Sequence, residues 1–551
     1  MNSTSSSLSE SSSRVAVDVR RFPWIRRLAA DYAYDFSAVA PFFAGNPADR
    51  RDWAETIARA QAHQRRRTEV AAVIEAQQQR RRAPARAIDA GRQLAESRTV
   101  AILTGQQAGL FGGPFFTLLK ALTALKLADR ISRDYDVPAV AIFWVEAEDH
   151  DWDEVRSCTV FDDRFEPRTV ALAPQDGSEA RPVAHIQLDA SIRDVIDELS
   201  HILPATEFTA SVVDQLRDAY SPGTGMAEAF GRWLERVLGE RGLIVYDASD
   251  PASKPLAAEI FARELSMPGQ TTRLAASKGS DLAARGYHAQ VHAQDDSLAL
   301  FRLDGSRRAI RLQDGQFIIG NTGYPAEALL QELNDRPAGF SPGVLLRPIV
   351  QDAIFPTVCY VAGPNELAYL GQLRGVYEAF GVPMPLVYPR ATATLLDSSS
   401  LRFITRYQLP IEALQPQDEA ALNSLLKTQI PAAVEQAFVN ASHAVDAGIL
   451  DVARAVSAVD PTLEGAARST LGRMQHDLQT LHGKTIQAAK RRDETLRRQF
   501  LRARALAFPQ GHAQERAIGF VSFLNQYGPA LVDRLNAELP LEMGQHWILT
   551  I

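Results

Sequence analysis

The 551-residue sequence predicts an α/β protein with a Rossmann-like, doubly wound parallel sheet, two insertions into that sheet, and a C-terminal α-helical coiled-coil hairpin. Three observations indicate this class. Five short apolar runs mostly alternate with helical patterns, and each run ends at a glycine-containing or polar segment. After Asp397 the sequence changes to long helical patterns. A chain of this length is expected to form more than one domain.

The predicted strands are short apolar runs of the kind found in buried parallel sheets. They are expected at 100–103, 139–145, 243–246, 357–361 and 385–388. The predicted parts of the chain are a disordered serine-rich tail at 1–14, N-terminal helices and the first half of the core at 15–154, a first insertion at 155–222, more of the core at 223–268, a second insertion with a β-meander at 269–344, the end of the core at 345–397, the coiled coil at 398–510 and a C-terminal helical segment at 511–551.

A glycine-rich turn follows the first strand and precedes an amphipathic helix. Its backbone N–H groups favour an anion, so five of its residues are candidate substrate-binding residues. These are Gly105, Gln106, Gln107, Gly112 and Gly113. The spacing fits neither the dinucleotide fingerprint nor the phosphate loop of nucleotide hydrolases, and a plain tight turn is the alternative.

An acidic cluster begins where the second strand ends. It contains Glu146, Glu148, Asp149, His150, Asp151, Asp153 and Glu154. Such a cluster could hold an ammonium group, supply a general base through Asp149 or His150, or bind Mg²⁺ through Glu146, Asp149 and Asp151. A solvated acidic loop is the alternative interpretation.

Further polar residues lie at or near the ends of the later strands, and the ligands of such sheets bind at those ends. The candidates for substrate binding are Arg347, Gln351, Asn365, Glu366 and Arg390. The segment 247–250, after the third strand, is expected in the same crevice. Arg347 could clamp a carboxylate or phosphate, or form a structural ion pair with Asp352.

Bulk composition narrows the function classes. The net charge of −7 disfavours nucleic-acid binding. The two cysteines suit a reducing cytoplasm, and no apolar run is long enough to span a membrane. In the C-terminal hairpin, joined at Asp460, an apolar stripe needs a partner, which is the body of the protein or a second copy.

Seven segments together resemble one family, the BshC cysteine-adding enzymes of bacillithiol synthesis. They are 104–114, 143–154, 227–230, 247–251, 345–352, 360–369 and 508–516. The resemblance implies a Rossmann core, two connecting-peptide insertions and a coiled coil used for homodimerisation. It also implies the final step of bacillithiol synthesis, in which cysteine is joined to glucosaminyl-malate.

Amide formation needs an activated carboxyl group, and ATP with Mg²⁺ is the expected source. We expect the glycine-rich turn to bind one anionic group and Arg347 or Arg390 to neutralise another. Asp149 or His150 would deprotonate the amine, with Glu148 as a further candidate catalytic residue. Glu146 and Glu148 would hold the cysteine ammonium or a metal. These roles are hypotheses from chemistry, because the resemblance assigns none.

Two other function classes remain open at this point. A nucleotide-binding relative of class I aminoacyl-tRNA synthetases would share the core, but the sequence lacks His-Ile-Gly-His. A non-catalytic coiled-coil scaffold is the other. A dehydrogenase is disfavoured by the broken dinucleotide fingerprint.

Overall fold

The computed structural model describes residues 14–149, 151–174, 181–290, 296–428, 432–492 and 494–551. Within these ranges the chain forms two compact units. The larger unit contains residues 14–394 and Gln514–Leu549, and the smaller contains Leu395–Ala513 with Thr550–Ile551. The predicted serine-rich tail lies outside the described residues except for Arg14. That residue begins a strand instead.

The strands of the described ranges form four sheets. A five-stranded sheet has the order β13–β12–β2–β3–β6, and a second has the order β10–β9–β8–β7–β11. The others are β1–β15–β14 and the pair β4–β5. The bounds are β1 Arg14–Asp18, β2 Val100–Gln107, β3 Ala139–Glu146, β4 Ser157–Phe161, β5 Pro167–Ala171, β6 Ile244–Asp247, β7 Ser297–Leu303, β8 Arg307–Gln313, β9 Gln316–Ile319, β10 Thr322–Tyr324, β11 Phe340–Pro342, β12 Thr357–Ala362, β13 Leu386–Pro389, β14 Thr392–Leu396 and β15 Gln545–Thr550.

The α-helices of the described ranges alternate with the core strands in the larger unit and dominate the smaller one. They are α1 Arg27–Tyr34, α2 Phe36–Val39, α3 Arg50–Ala62, α4 Arg67–Arg81, α5 Ala85–Gln93, α6 Phe115–Tyr135, α7 Trp152–Val155, α8 Ser191–Ile202, α9 Thr209–Ala219, α10 Met226–Leu238, α11 Lys254–Ser266, α12 Gln270–Ala284, α13 Ala326–Asp335, α14 Arg347–Ile354, α15 Glu366–Leu370, α16 Arg374–Phe380, α17 Ser398–Arg406, α18 Ala420–Thr428, α19 Ala432–Val456, α20 Leu463–Arg492, α21 Glu494–Ala507, α22 Gln514–Ala517, α23 Phe520–Tyr527 and α24 Ala530–Glu538.

The central sheet confirms the predicted fold class. All five predicted strands are present, and every neighbouring pair is parallel. Its middle strand, β2, is buried along the whole apolar run from Val100 to Leu103. Burial on both faces explains why this strand reads as a continuous apolar run, since α-helices cover parallel sheets on both sides. The N-terminal helices predicted within 15–154 include α3, α4 and α5, which precede β2.

The second insertion contains the expected antiparallel meander. Strands β7, β8, β9 and β10 pair antiparallel in sequence order, and β11 returns to pair with β7. The inward side chains Leu300, Ile310 and Phe317 are buried. Residues 291–295 of this insertion lie outside the described residues.

The smaller unit contains the predicted hairpin. Helices α19 and α20 pack against each other, and their polar contacts show an antiparallel arrangement. Asp446 accepts a hydrogen bond from Gln475 at 2.7 Å, whereas Glu435, earlier in α19, contacts His482, later in α20, at 3.0 Å. Among the helices of the described ranges, none combines the length and apolar character that membrane crossing requires.

The C-terminal segment differs from its prediction. After helices α22, α23 and α24, residues Gln545–Thr550 form strand β15, which pairs antiparallel with β1. The segment is therefore not wholly helical. Residues from His546 to Leu549 are buried there, so this strand contributes to the core.

Candidate functional site

A cavity of about 690 Å³ opens at the carboxyl ends of β2, β3 and β12 in the larger unit. Since parallel strands present their carboxyl ends at one edge, this is where a ligand of such a sheet is expected. The cavity is also lined by the β-meander. The predicted site residues that line it are Gly105, Gln106, Gln107, Glu146, Asp149, Arg347, Gln351, Asn365, Glu366 and Arg390.

Arg347, the first residue of α14, forms an ion pair with Glu146 at the end of β3. The distance from Nη1 to Oε2 is 2.9 Å. Burial lowers the pKa of Arg347, but Glu146 together with Tyr369, Tyr360 and Glu366 outweighs burial, so the pKa lies above its ordinary value. The partner is therefore Glu146 and not Asp352. Asp352 accepts a 2.5 Å hydrogen bond from Tyr377, and its burial raises its pKa to about 7.

Lys120 and Glu366 form a second charge pair in the cavity wall, with 2.5 Å between Nζ and Oε2. Lys120 also donates to the Gly105 carbonyl at 2.9 Å. Glu366 accepts hydrogen bonds from Tyr360 at 3.1 Å and Tyr369 at 3.3 Å. Burial opposes ionisation of Glu366, but Lys120 and these donors hold its pKa below the usual value.

Arg390 follows β13 and is held by Glu515, which belongs to α22. Its two Nη atoms lie 3.0 and 2.6 Å from the carboxylate oxygens. Glu515 also accepts a 3.1 Å hydrogen bond from the Ala393 N–H. Burial opposes ionisation of Glu515, and Arg390 outweighs it, so the Glu515 pKa is lowered. The guanidinium of Arg390 is thus already neutralised by the protein.

The structure disperses the acidic cluster. Asp149 lines the cavity and lies 3.5 Å from Arg307 of the meander. Glu148 is buried outside the cavity lining and pairs with Lys254, and burial raises its pKa. Asp151 is exposed and caps α7 by accepting from the Glu154 N–H. His150 lies outside the described residues. Glu148 is therefore not brought together with the other site residues.

The predicted magnesium site is not assembled. Among the residues that the structure describes, no group of three or more His, Cys, Asp and Glu side chains is placed to hold a metal ion. The reason is that Glu146, Asp149 and Asp151 each meet a different partner: Arg347, Arg307 and the start of α7.

Gly112 and Gly113 do not line the cavity, because the turn packs into the protein. The Gly112 N–H donates to the Tyr220 hydroxyl at 3.1 Å, and the Phe115 N–H at the start of α6 donates to the Ile518 carbonyl at 2.8 Å. These amides are therefore not available to an anion. Only the strand end before the turn, Gly105 to Gln107, reaches the cavity.

The segment 247–250 is also absent from the cavity lining. It follows β6, which is an edge strand of the central sheet. There Ser249 donates to Asp247, and Arg80 pairs with Asp250.

Glu154, a member of the predicted acidic cluster, also lines the cavity. Several cavity residues were not among the predicted site residues: Lys120, Arg307, Tyr360, Tyr369 and Arg516. Lys120 carried a usable signal, because it is a lysine on an otherwise apolar stretch of helix. Arg307 and Arg516 carried none, since only the fold brings the meander and α22 to the strand ends.

Fold and site together define a Rossmann-like α/β protein with a charged cavity at the carboxyl edge of its parallel sheet. The model of the bacillithiol biosynthesis BshC N-terminal Rossmann-like domain matches residues 16–391, and that of the BshC C-terminal coiled-coil domain matches residues 393–551. The chain belongs to the BshC family.

Curated relatives agree with this assignment, and the three described next all carry the name "Putative cysteine ligase BshC". The protein from Salinibacter ruber is 32% identical over 95% of this chain and 96% of the relative. Those from Chlorobaculum tepidum and Symbiobacterium thermophilum are each 34% identical, covering 80% and 81% of this chain and 80% and 83% of the relative. The family places the chain among enzymes of the ligase class.

A solved structure titled as a putative arginyl-tRNA synthetase from Campylobacter jejuni was also found. It covers 76% of this chain and 94% of that chain, with 11% identity and a TM-score of 0.22. A likeness at this score carries no argument about function.

Proposed function

We propose that this protein joins the carboxyl group of cysteine to the amine of glucosaminyl-malate, the last step of bacillithiol synthesis. The observation that supports this best is the cavity, in which acidic and cationic side chains face the same space. Both substrates carry an amine and at least one carboxylate, so each needs complementary groups of both signs. Membership of the BshC family supports the same reaction.

The reaction is an acyl transfer. The cysteine carboxylate attacks a phosphorus atom of ATP, so that a C–O–P link forms while the bond to ADP breaks, giving an acyl phosphate, or the bond to pyrophosphate breaks, giving an acyl adenylate. The neutral glucosamine nitrogen attacks the acyl carbon, the new C–N bond forms, and the bond to phosphate or AMP breaks. The proton lost from nitrogen passes to a base. Because the described residues assemble no magnesium site, we assign no step to protein-bound Mg²⁺.

Asp149 is our candidate for that base, with His150 as the alternative. Asp149 lines the cavity and lies 3.5 Å from Arg307, so its carboxylate faces the space in which the amine would be bound. Glu146 is placed to hold an ammonium group, since it reaches the same space. Arg347 is preferred over Arg390 for a substrate carboxylate, because Glu146 contacts one nitrogen of Arg347 at 2.9 Å, whereas Glu515 binds both Nη atoms of Arg390.

Gln106, Gln107, Gln351 and Asn365 are proposed to orient the substrates through their amide groups. All four line the cavity. Amides donate and accept hydrogen bonds without adding charge, so they suit the sugar hydroxyls.

A homodimer formed through the hairpin is part of the proposal. Seven large apolar residues of this region remain exposed: Val439, Leu450, Val452, Val459, Leu463, Met474 and Leu481. Exposed apolar side chains concentrated in one region indicate an interaction surface. We place the reaction in the cytoplasm, where the unpaired Cys158 and Cys359 would stay reduced.

The test is mass spectrometry of the purified protein incubated with cysteine, glucosaminyl-malate and Mg-ATP. We expect bacillithiol, with ADP marking an acyl phosphate and AMP an acyl adenylate. No product with either nucleotide, together with normal thiol levels in a deletion strain, would overturn the proposal. Binding of total tRNA in a filter assay would instead support a relative of the aminoacyl-tRNA synthetases.

A further inference from the structure

One end of the cavity carries two guanidinium groups over a single aromatic ring. Arg390 lies over the Phe116 ring with its central carbon 5.3 Å from the centroid, and Arg516 lies over the same ring at 5.7 Å. Phe116 comes from α6 and Arg516 from α22, and all three residues line the cavity. Cation–π contacts of this kind hold a guanidinium in place without neutralising its charge.

The charges at this end do not balance. The carboxylate oxygens of Glu515 accept hydrogen bonds from both Nη atoms of Arg390 and from the Ala393 N–H. Lys120 and Glu366 compensate each other at 2.5 Å. For Arg516, no ion pair or hydrogen bond of the guanidinium is found within the described ranges. Of these two arginines, only Arg390 therefore has a directly bound carboxylate among the described residues, and Arg516 leaves one positive charge in excess.

The electrostatic surroundings of Arg516 also indicate an excess of positive charge at this end of the cavity. Partial enclosure by the cavity wall, and then repulsion from Arg390, lower its pKa, while Glu515 and Glu366 only partly offset this. An anion beside Arg516 would relieve that repulsion. By contrast, Arg347 and Arg307 elsewhere in the cavity each have an acidic partner within 4 Å, at 2.9 and 3.5 Å.

We propose that Arg516 binds an anionic group of a ligand in this cavity, a carboxylate or a phosphate. Arg390 and Phe116 position the Arg516 guanidinium, and the planar fork of arginine suits either group. The inference deepens the proposed function and rests on it for the source of the anion. Glucosaminyl-malate supplies two carboxylates on its malate part, and ATP supplies phosphates.

Binding of L-malate and of inorganic phosphate is to be measured by isothermal titration calorimetry on the full chain. We expect R516A to weaken one of the two probes about tenfold or more, as loss of a charge-assisted hydrogen bond requires. Weaker binding of malate by R516A would identify the malate part of glucosaminyl-malate as the source of the anion. Weaker binding of phosphate would identify ATP as the source. The variant R516K should retain part of the affinity.

Two comparison variants isolate the site. Arg285 lies over the Phe42 ring at 5.3 Å and outside the cavity lining, so R285A should bind both probes like the wild type. Arg311 lines the cavity from the meander. Three outcomes would overturn the proposal. They are weaker anion binding in R311A alone, wild-type affinity in R516A, and no binding of either probe to the wild type at about 10 mM.

These measurements need no turnover, so they separate this inference from the proposed function. If R516A binds an anion more weakly than the wild type while the wild type forms no bacillithiol, the proposed anion site is supported and the proposed reaction is wrong. If the wild type forms bacillithiol and R516A binds both probes normally, the reaction stands and the anion site is wrong. The melting temperature of R516A checks that the variant is folded.

Discussion

The substitution Gly112→Ala tests whether the glycine-rich turn packs into the protein core or binds a ligand. At Gly112 the backbone has φ +93°, and an added Cβ would lie 2.3 Å from two ring atoms of Phe520 and 2.9 Å from Trp233. Phe520 and Trp233 are buried and stacked, with ring centroids 6.1 Å apart. Both rings are almost completely buried, so an added methyl group must displace core side chains.

The magnitude follows from two effects. A non-glycine residue in this backbone region costs about 1–2 kcal/mol. Overpacking by one methyl group in a dense core costs about 1–3 kcal/mol more. The free energy of unfolding should therefore fall by about 2–5 kcal/mol. Gly305 is the matched control, because it has φ +90° but no atom within 4 Å of the added Cβ. Gly305→Ala should cost about 1–2 kcal/mol.

The assay is urea denaturation followed by tryptophan fluorescence, with the m value checked for constancy. We expect Gly112→Ala to lose at least about 1 kcal/mol more than Gly305→Ala, since overpacking acts only at Gly112. Equal losses in the two variants, together with weaker substrate binding by Gly112→Ala, would refute the packing explanation. That result would mean the turn faces a ligand, as the sequence first suggested.

Three further predictions address the base, the pH dependence and the assembly. Asp149→Asn should lower the rate of bacillithiol formation about 100-fold or more, as loss of a general base does, measured by mass spectrometry; an unchanged rate contradicts the role. Asp352 has a raised pKa of about 7, so its contribution to stability is present at acidic pH and is lost as pH rises towards and through 7. Asp352→Asn should therefore flatten the fall in the urea midpoint between pH 5 and pH 8; an unchanged slope contradicts this. Met474→Glu with Leu481→Glu should convert a dimer to a monomer in sedimentation, whereas His476→Glu should not.

The sequence predicted the core of the fold because burial leaves a direct mark on it. The run Val100–Leu103 is apolar at every position since both faces of β2 are covered. The meander was predictable for a related reason: Asp304-Gly305 and Asp314-Gly315 mark its turns, and both glycines adopt positive φ. Strand β15 was missed because it pairs with a strand near the other end of the sequence.

Many charged residues of the site could be predicted from the sequence, but the residues that form ion pairs with them could not. Arg390 and Glu515 are 125 positions apart, and Glu148 and Lys254 are 106 apart. No local pattern connects such residues, so the sequence could not show that Arg390 is neutralised or that Glu148 is buried. The prediction that Gly112 lies at a ligand site was wrong for the same reason. Phe520, which fills the space beside Gly112, lies on a helix that is distant in sequence.

The pairing of β1 with β15, with Arg14 opposite Leu549, has a consequence for biosynthesis. At about 5–20 residues per second, β1 waits roughly half a minute to two minutes on the ribosome before its partner emerges. Lone strand edges invite aggregation during such a delay. Four of the five β1 residues are not buried even in the finished protein, and Val17 is the exception. Because β1 is short, has a charged residue at each end and buries only Val17 fully, it can remain hydrated until β15 is synthesised.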